Sequence, residues 1–359
     1  MAVRIAPVGG TGALIGMLLG APVAAARVPA PPTPAIQGSP TQASIPERLK
    51  RVSTDLFTRT DRIKESIAEL KSILAVDASS ADAHLLLGVA YRGLGTPEFL
   101  GEAVAELRQA LALNPLLVPA RLYLGYLYRD LGRPRRAKEE LEAALTQAPG
   151  HPQLLALLAD TERQLGDPAR ALALAEQALK ADPSSAQARY YLGLALLDLK
   201  RRDEGIAELE RVVQAGPPVA DAYLALGAAY LDAGRTDEGL TVLTRGSQLA
   251  PDRPDVAVQL ARACRLKGLL TRADQHLAKA LAKGTSPAYT FSQYQQIESG
   301  LYLEQGLLRM QQGRLEAAAA AFEKVLDMDE THAAARSHLA EVKRRLEQRT
   351  KKKAAGGGA

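Results

Sequence analysis

Aromatic residues are scarce in this 359-residue chain. It contains no tryptophan, 4 phenylalanines and 11 tyrosines, so that aromatics make up 4% of the sequence. The core must therefore be built mainly from leucine, alanine and valine, which favours closely packed α-helices over a β-sandwich. Hydrophobic residues still reach 47% and charged residues 24%, which excludes a disordered chain and a protein with many membrane spans.

Residues that bind metals or form covalent intermediates are also few. The single cysteine, Cys264, excludes an internal disulfide framework and any multi-cysteine metal site. The five histidines are scattered, and His332 and His338 lack the spacing of three or four residues that a helical ligand pair needs. The sequence also contains no nucleophile motif and no phosphate-binding loop. We therefore predict a non-catalytic protein with no cofactor and no metal.

Positive charge is concentrated near the C-terminus. The net charge is +5, and residues 343–353 alone carry +6, which leaves −1 for the rest of the chain. The main part of the chain thus offers no general electrostatic surface for nucleic acid, and we predict no nucleic-acid partner. The basic tail could make a weak contact with an anionic membrane or polymer. The simpler alternative is a solvated capping helix with a frayed end.

The first 26 residues have the order of a secretory signal peptide. A short basic start precedes an apolar stretch at 12–26, which ends in three alanines before Arg27. This stretch of 15 residues is shorter than the roughly 17 that a membrane-spanning helix needs. Residues 27–46 contain six prolines, as expected of an extended tether. We expect export to a bacterial periplasm or cell surface; a mitochondrial transit peptide and a disordered leader are the alternatives.

Prolines and small residues recur with a fixed period. Prolines are spaced by 34 residues at Pro115, Pro149, Pro183, Pro217 and Pro251. Small residues precede them by 24 positions at Gly125, Ala159, Gly193 and Gly227, with Ala261 one period later. Apolar positions three, four and seven apart predict two amphipathic helices in each period, which cross at the small residues. Because one such hairpin cannot bury its apolar face alone, successive hairpins must stack.

This pattern resembles the tetratricopeptide repeat (TPR) family. In one period the characteristic residues are Tyr223, Leu226, Gly227, Tyr230, Gly239, Leu243 and Pro251. The resemblance implies an all-α TPR solenoid, a right-handed superhelix of antiparallel helical hairpins. It covers a degenerate unit at 47–80, units at 81–117, 118–151, 152–185, 186–219, 220–253, 254–287 and 299–332, and a capping helix at 333–350. A basic, glycine-rich tail follows at 351–359.

Two departures interrupt the repeat. The unit at 81–117 is three residues longer than the others, and we expect the extra residues to enlarge its internal turn at 95–101. An insertion at 288–298 adds 11 residues, close to three helical turns, so that one helix could run through to Met310. Its aromatic residues, Tyr289, Phe291 and Tyr294, form a candidate second contact site. The alternative, favoured by the usual role of aromatic stripes, is that they pack as core.

The resemblance also implies where a partner binds. In this family the first helix of each hairpin lines the concave face, and positions two, five, nine, twelve and thirteen of the unit hold peptides. The candidate partner-binding residues at such positions are Arg92, Tyr126, Arg129, Arg163, Tyr190 and Leu194. Arginine can clamp a carboxylate while tyrosine supplies contact area. The alternative is that these arginines pair with acids nearby, namely Asp130, Asp160 or Glu162.

Together these features predict a scaffold that binds a protein or peptide in its concave groove and helps to assemble a cell-envelope or secretion complex. Two alternatives stay open. The chain could be an accessory subunit that presents substrates to a separate envelope enzyme, such as a glycosyltransferase. It could also be a peripheral membrane adaptor that acts through its basic tail.

Overall fold

The structure is a computed structural model that describes residues 44–215, 219–283 and 291–356. All regular elements of these residues are helical, and they comprise seventeen α-helices. The predicted all-α fold is confirmed. The proposed leader at 1–26, the tether as far as residue 43 and residues 357–359 of the tail lie outside the described residues.

The chain divides into two compact units. The first unit extends over Met1–Asp167 and Gln177–Pro183. Its helices are α1 (Ile45–Thr58), a 3-10 turn (Thr60–Arg62), α2 (Ile63–Val76), α3 (Ala81–Leu94), α4 (Pro97–Leu113), α5 (Val118–Asp130), α6 (Pro134–Gln147), α7 (Pro152–Gln164) and the end of α8 (Pro168–Ala181).

The second unit extends over Pro168–Glu176 and Ser184–Ala359. Its helices are the start of α8, α9 (Ala186–Asp198), α10 (Arg202–Ala215), α11 (Ala220–Asp232), α12 (Thr236–Leu249), α13 (Pro254–Leu266), α14 (Leu270–Lys283), α15 (Phe291–Gln311), α16 (Leu315–Met328) and α17 (Ala333–Gly356). Across the described ranges, no helix is both long enough and apolar enough to cross a bilayer.

The helices of each unit form hairpins whose first helices lie side by side. In the first unit α3 packs against α4 within its hairpin and against α5 of the next hairpin, and α5 in turn packs against α7. In the second unit the same arrangement joins α9, α11, α13 and α15. The first helices therefore form one face of each unit, and residues at equal positions of the repeat lie along it.

Most of these first helices end in a left-handed residue. Glycine has a positive φ at Gly95, Gly132, Gly166, Gly234, Gly268 and Gly313, whereas Lys200 occupies the matching place after α9 with φ 64°. After α5, the Gly132 N–H donates to the Arg129 carbonyl over 2.9 Å and the Arg133 N–H donates to the Tyr128 carbonyl over 2.7 Å. This Schellman arrangement satisfies carbonyls at the helix end and turns the chain into the second helix.

The two helices of a hairpin cross where a small residue faces a large one. A Cβ atom added to Gly125 of α5 would lie 2.7 Å from Leu141 Cδ2 on α6, closer than two such carbons approach in proteins. The matching Gly193 of α9 would place its Cβ 2.9 Å from Leu209 Cγ on α10. The predicted role of the small residues at the helix crossing is confirmed.

The extra residues of the unit at 81–117 lie in a helix and not in the turn. Only Gly95 and Thr96 separate α3 from α4, and α4 has 17 residues where α6 has 14. The expected enlarged turn is therefore wrong. Proline at the first position of α4 favours an earlier helix start, and the added turn is covered because Phe99 stacks on Tyr91 with ring centroids 5.7 Å apart.

We predict that Gly125→Ala destabilises the protein, because the new methyl group overlaps the buried Leu141 side chain. The free energy of unfolding should fall by about 1–3 kcal/mol, measured by urea denaturation. Gly101→Ala is the matched control, since Gly101 lies within α4 and its Cβ would meet nothing within 4 Å. That substitution should stabilise by about 0.5–1 kcal/mol. Equal effects at both glycines would contradict the crossing geometry.

Candidate functional site

Two arginines of the first unit converge on one carboxylate. Arg92 extends from α3, and both its Nε and its Nη2 lie 3.0 Å from Asp130 Oδ2 on α5. Arg129, also on α5, donates to Asp130 Oδ1 from Nε over 3.2 Å and from Nη2 over 2.8 Å. Each carboxylate oxygen therefore accepts from a different guanidinium. For these two arginines the structure shows the pairing alternative that the sequence left open.

A tyrosine lies beneath both guanidinium groups. The Cζ atoms of Arg92 and Arg129 lie 5.0 and 5.3 Å from the centroid of the Tyr126 ring, within the range of a cation–π interaction. Tyr126 itself is 8% exposed, and the neighbouring Tyr123 ring lies 6.2 Å from it. Burial raises the pKa of Tyr123 to about 12, so this hydroxyl stays neutral at physiological pH. The two rings form an apolar floor under the charged groups.

The cluster keeps Asp130 ionised and carries a net positive charge. Burial by itself would raise the pKa of Asp130, but the charges and hydrogen bonds of Arg92 and Arg129 hold this pKa below its ordinary value. Two guanidinium groups and one carboxylate leave a charge of +1. Solvent reaches the site, because the side chains of Arg92 and Asp130 are 29% and 30% exposed.

Arg163 has an acidic partner on its own helix. Its Nη2 atom lies 3.2 Å from Asp160 Oδ1, and Gln164 donates to Asp160 Oδ2 over 3.0 Å. The neighbouring Glu162 is buried and lies 3.0 Å from the Lys138 ammonium. All three predicted arginines are thus partly neutralised. Their role in partner binding stays a prediction.

Tyr190 and Leu194 belong to the second unit, on α9. Both side chains are half-buried, and the Tyr190 ring lies 5.4 Å from that of Tyr191. They sit at the same repeat positions as Leu122 and Tyr126 of α5, on the face formed by the first helices. Their contact with a partner is likewise a prediction.

The sequence analysis missed a fourth arginine at the same repeat position. Arg265 of α13 donates to Glu304 of α15 from Nε over 2.8 Å and from Nη2 over 3.3 Å, and Glu304 is 7% exposed. The position of Arg265 could have been read from the repeat, since it lies at position twelve of the unit at 254–287. Its partner could not, because the insertion at 288–298 shifts the register before Glu304.

We predict that Arg265→Ala destabilises the protein, because it leaves the buried Glu304 carboxylate without its fork of donors. The loss should be about 3–5 kcal/mol, measured by urea denaturation at neutral pH. Replacing both partners, with Arg265→Met and Glu304→Leu, should restore most of that loss. A double variant as unstable as Arg265→Ala would show that packing, and not the unpaired charge, causes the effect.

The candidate second contact site lies only partly within the described residues. Tyr289 lies outside them, and so does the side chain of Phe291, with which α15 begins. Tyr294 is 8% exposed, and burial raises its pKa. One turn later Ile297 packs against the core cluster of Leu277 and Leu301. For this part of the insertion the geometry favours the core-packing alternative.

Cys264 lies in that same core cluster. Its side chain is fully buried and burial raises the pKa of the thiol, both of which oppose a nucleophilic role. Within residues 44–215, 219–283 and 291–356 the structure forms no group of three histidine, cysteine or acidic residues that could hold a metal.

The basic segment at 343–353 is helical and part of its charge is paired. Lys343 lies 3.4 Å from Glu323 and Arg349 lies 3.9 Å from Glu316, both on α16, while Arg345 pairs with Glu341 on α17 itself. Exposed pairs of this kind contribute little to stability. They nevertheless reduce the positive charge that this helix presents to an anionic surface.

Three family models described as tetratricopeptide repeat match the chain. One covers residues 156–220 and 303–348, a second covers 100–161 and a third covers 220–263, together more than half of the chain. The chain belongs to the tetratricopeptide repeat family. TPR repeats generally form non-catalytic scaffolds for protein interactions and typically bind peptides or proteins, so this chain is a TPR interaction scaffold.

Solved structures with the same fold come from bacteria and from humans. A TPR protein from Parabacteroides merdae is 20% identical over 68% of this chain and 93% of its own, with a TM-score of 0.51. PilF from Pseudomonas aeruginosa is 20% identical over 62% and 97%, with a TM-score of 0.50. The human IFIT1 dimer with m7Gppp-AAAA is 18% identical over 84% and 72%, with a TM-score of 0.61. These likenesses show the fold alone, and no curated protein matches the chain significantly.

Proposed function

We propose that this chain is an exported TPR scaffold that binds a segment of a partner protein on the face formed by its first helices. In doing so it helps to assemble a cell-envelope or secretion complex. The observation that carries the proposal is the cluster of Arg92, Arg129 and Tyr126. It combines guanidinium donors with a rigid aromatic surface at a partly exposed place on that face.

Apolar side chains beside this cluster suit a peptide with hydrophobic anchors. Val89 lies three residues before Arg92 on α3, so the two side chains share one side of the helix. Val89 and Leu85 are half-buried, as is Tyr123 on the neighbouring α5. A partner segment could cover these side chains while placing an acidic group at the guanidiniums.

The export part of the proposal depends on the sequence. A basic start, an apolar stretch and small residues before Arg27 are typical of a cleaved secretory signal, and the prolines that follow suit a tether between the cleavage site and the array. An exported scaffold would meet envelope or secreted partners.

Site-specific photo-crosslinking in the native host tests the binding face. A photoreactive amino acid at Val89 should give a discrete adduct with a partner protein, because the side chain lies beside the cluster. Glu139, exposed on the second helix α6, is the matched control and should give no such adduct. Adding Arg92→Gln and Arg129→Gln should weaken the Val89 adduct. Equal adducts at Val89 and Glu139 would contradict the proposal, and an adduct with an envelope enzyme would favour the accessory-subunit alternative.

N-terminal sequencing of the chain isolated from envelope fractions of its host tests export. The proposal expects a mature chain that begins at Arg27. A chain that retains residues 1–26 and stays in the cytosolic fraction would contradict it.

A further inference from the structure

We infer that Arg92 and Arg129 form a binding site for a peptide carboxylate, and that Asp130 is a built-in competitor which the incoming carboxylate displaces. This inference rests on the proposed function and specifies the chemistry of the same site. It identifies the group that the partner must carry, and a residue of this chain that sets the affinity.

The geometry of the cluster is that of carboxylate recognition. Both guanidiniums direct Nε and Nη2 toward the same carboxyl group, and each takes one of its two oxygens. Fork-shaped donation of this kind is how arginine recognises carboxylates in general. A carboxylate of a partner can form the same hydrogen bonds, whether it comes from a chain terminus or from an acidic side chain.

The arginines are held in place by more than Asp130. Tyr126 lies 5.0 Å from Arg92 Cζ and 5.3 Å from Arg129 Cζ, and its ring is buried. This support persists when Asp130 turns away, so the donors remain preorganised for a new acceptor. The net charge of +1 also favours an anion that approaches from solvent.

Asp130 can leave the site at modest cost. Its side chain is 30% exposed, so its carboxylate can turn toward water and keep its hydration. The fully buried alternative is seen at Glu304, which has no such route to solvent. A partner can therefore exchange with Asp130, while the pair of Arg265 and Glu304 stays intact.

The second unit supplies a matched control at the same repeat position. Asp232 of α11 corresponds to Asp130 of α5, and it accepts from Arg262 Nη2 over 2.6 Å at an exposed place. Position nine of that hairpin is Ala228, where the first unit has Tyr126. Changing Asp232 removes a similar charge without opening a site of two arginines on an aromatic ring.

The test uses three small probes on the full chain. These are N-acetyl-leucyl-leucine with a free C-terminal carboxylate, its C-terminal amide, and N-acetyl-leucyl-aspartic acid amide, which carries a side-chain carboxylate. Each is titrated while the Nε–Hε resonances of Arg92 and Arg129 are followed by NMR on arginine-labelled protein. The titrations are repeated with Asp130→Asn, Asp232→Asn and Arg92→Gln.

We expect Asp130→Asn to tighten binding of the carboxylate probes about tenfold, as for a site that its internal competitor fills about nine-tenths of the time. Asp232→Asn should leave the affinity unchanged, and Arg92→Gln should abolish the response. Whichever carboxylate probe gains more identifies the source of the natural group. The inference is overturned if neither carboxylate probe gains affinity with Asp130→Asn, or if the amide gains equally. Such a failure leaves the Val89 crosslink intact, so it is distinguishable from failure of the proposed function.

Discussion

The close crossing of two helices within each hairpin is the contact on which the rest of this structure depends. A glycine of the first helix receives a large side chain of the second, as in the pairs Gly88 with Leu107, Gly125 with Leu141, Gly193 with Leu209 and Gly306 with Phe322. Because the backbones approach at the same repeat position each time, the first helices present the same positions on one face. The location of the candidate site on that face follows from this packing.

Repetition also explains why arginines recur beside that face and why they differ in character. Arg92 and Arg265 occupy the same repeat position, and each reaches an acid on the first helix of the following hairpin. The pair of Arg265 and Glu304 is nearly closed to water, so it joins two hairpins. The pair of Arg92 and Asp130 is more exposed and shares its acid with Arg129. The same ion pair can therefore act as a structural link in one unit and as an exchangeable contact in the other.

The insertions show how the array accommodates irregular sequence. Three additional residues extend α4 at its start, where Phe99 finds a stacking partner in Tyr91, and the buried face downstream keeps its phase. In α15, Tyr294 and Ile297 are packed into the second unit. In both places the extra residues form helix, because apolar side chains on an added turn can be covered by a neighbouring helix.

The sequence alone determined the helical class, the period of 34 residues and the small residues at the helix crossings. It could do so because amphipathic periodicity and helix crossings involve residues close together in the chain. Only the tertiary structure decided which acid neutralises which arginine. Asp130, Asp160 and Glu162 were all acceptable partners by sequence, yet Arg92 pairs with Asp130, 38 positions away. That choice depends on how neighbouring hairpins stack, and a shift of a few ångströms between helices is enough to exchange one ion-pair partner for another.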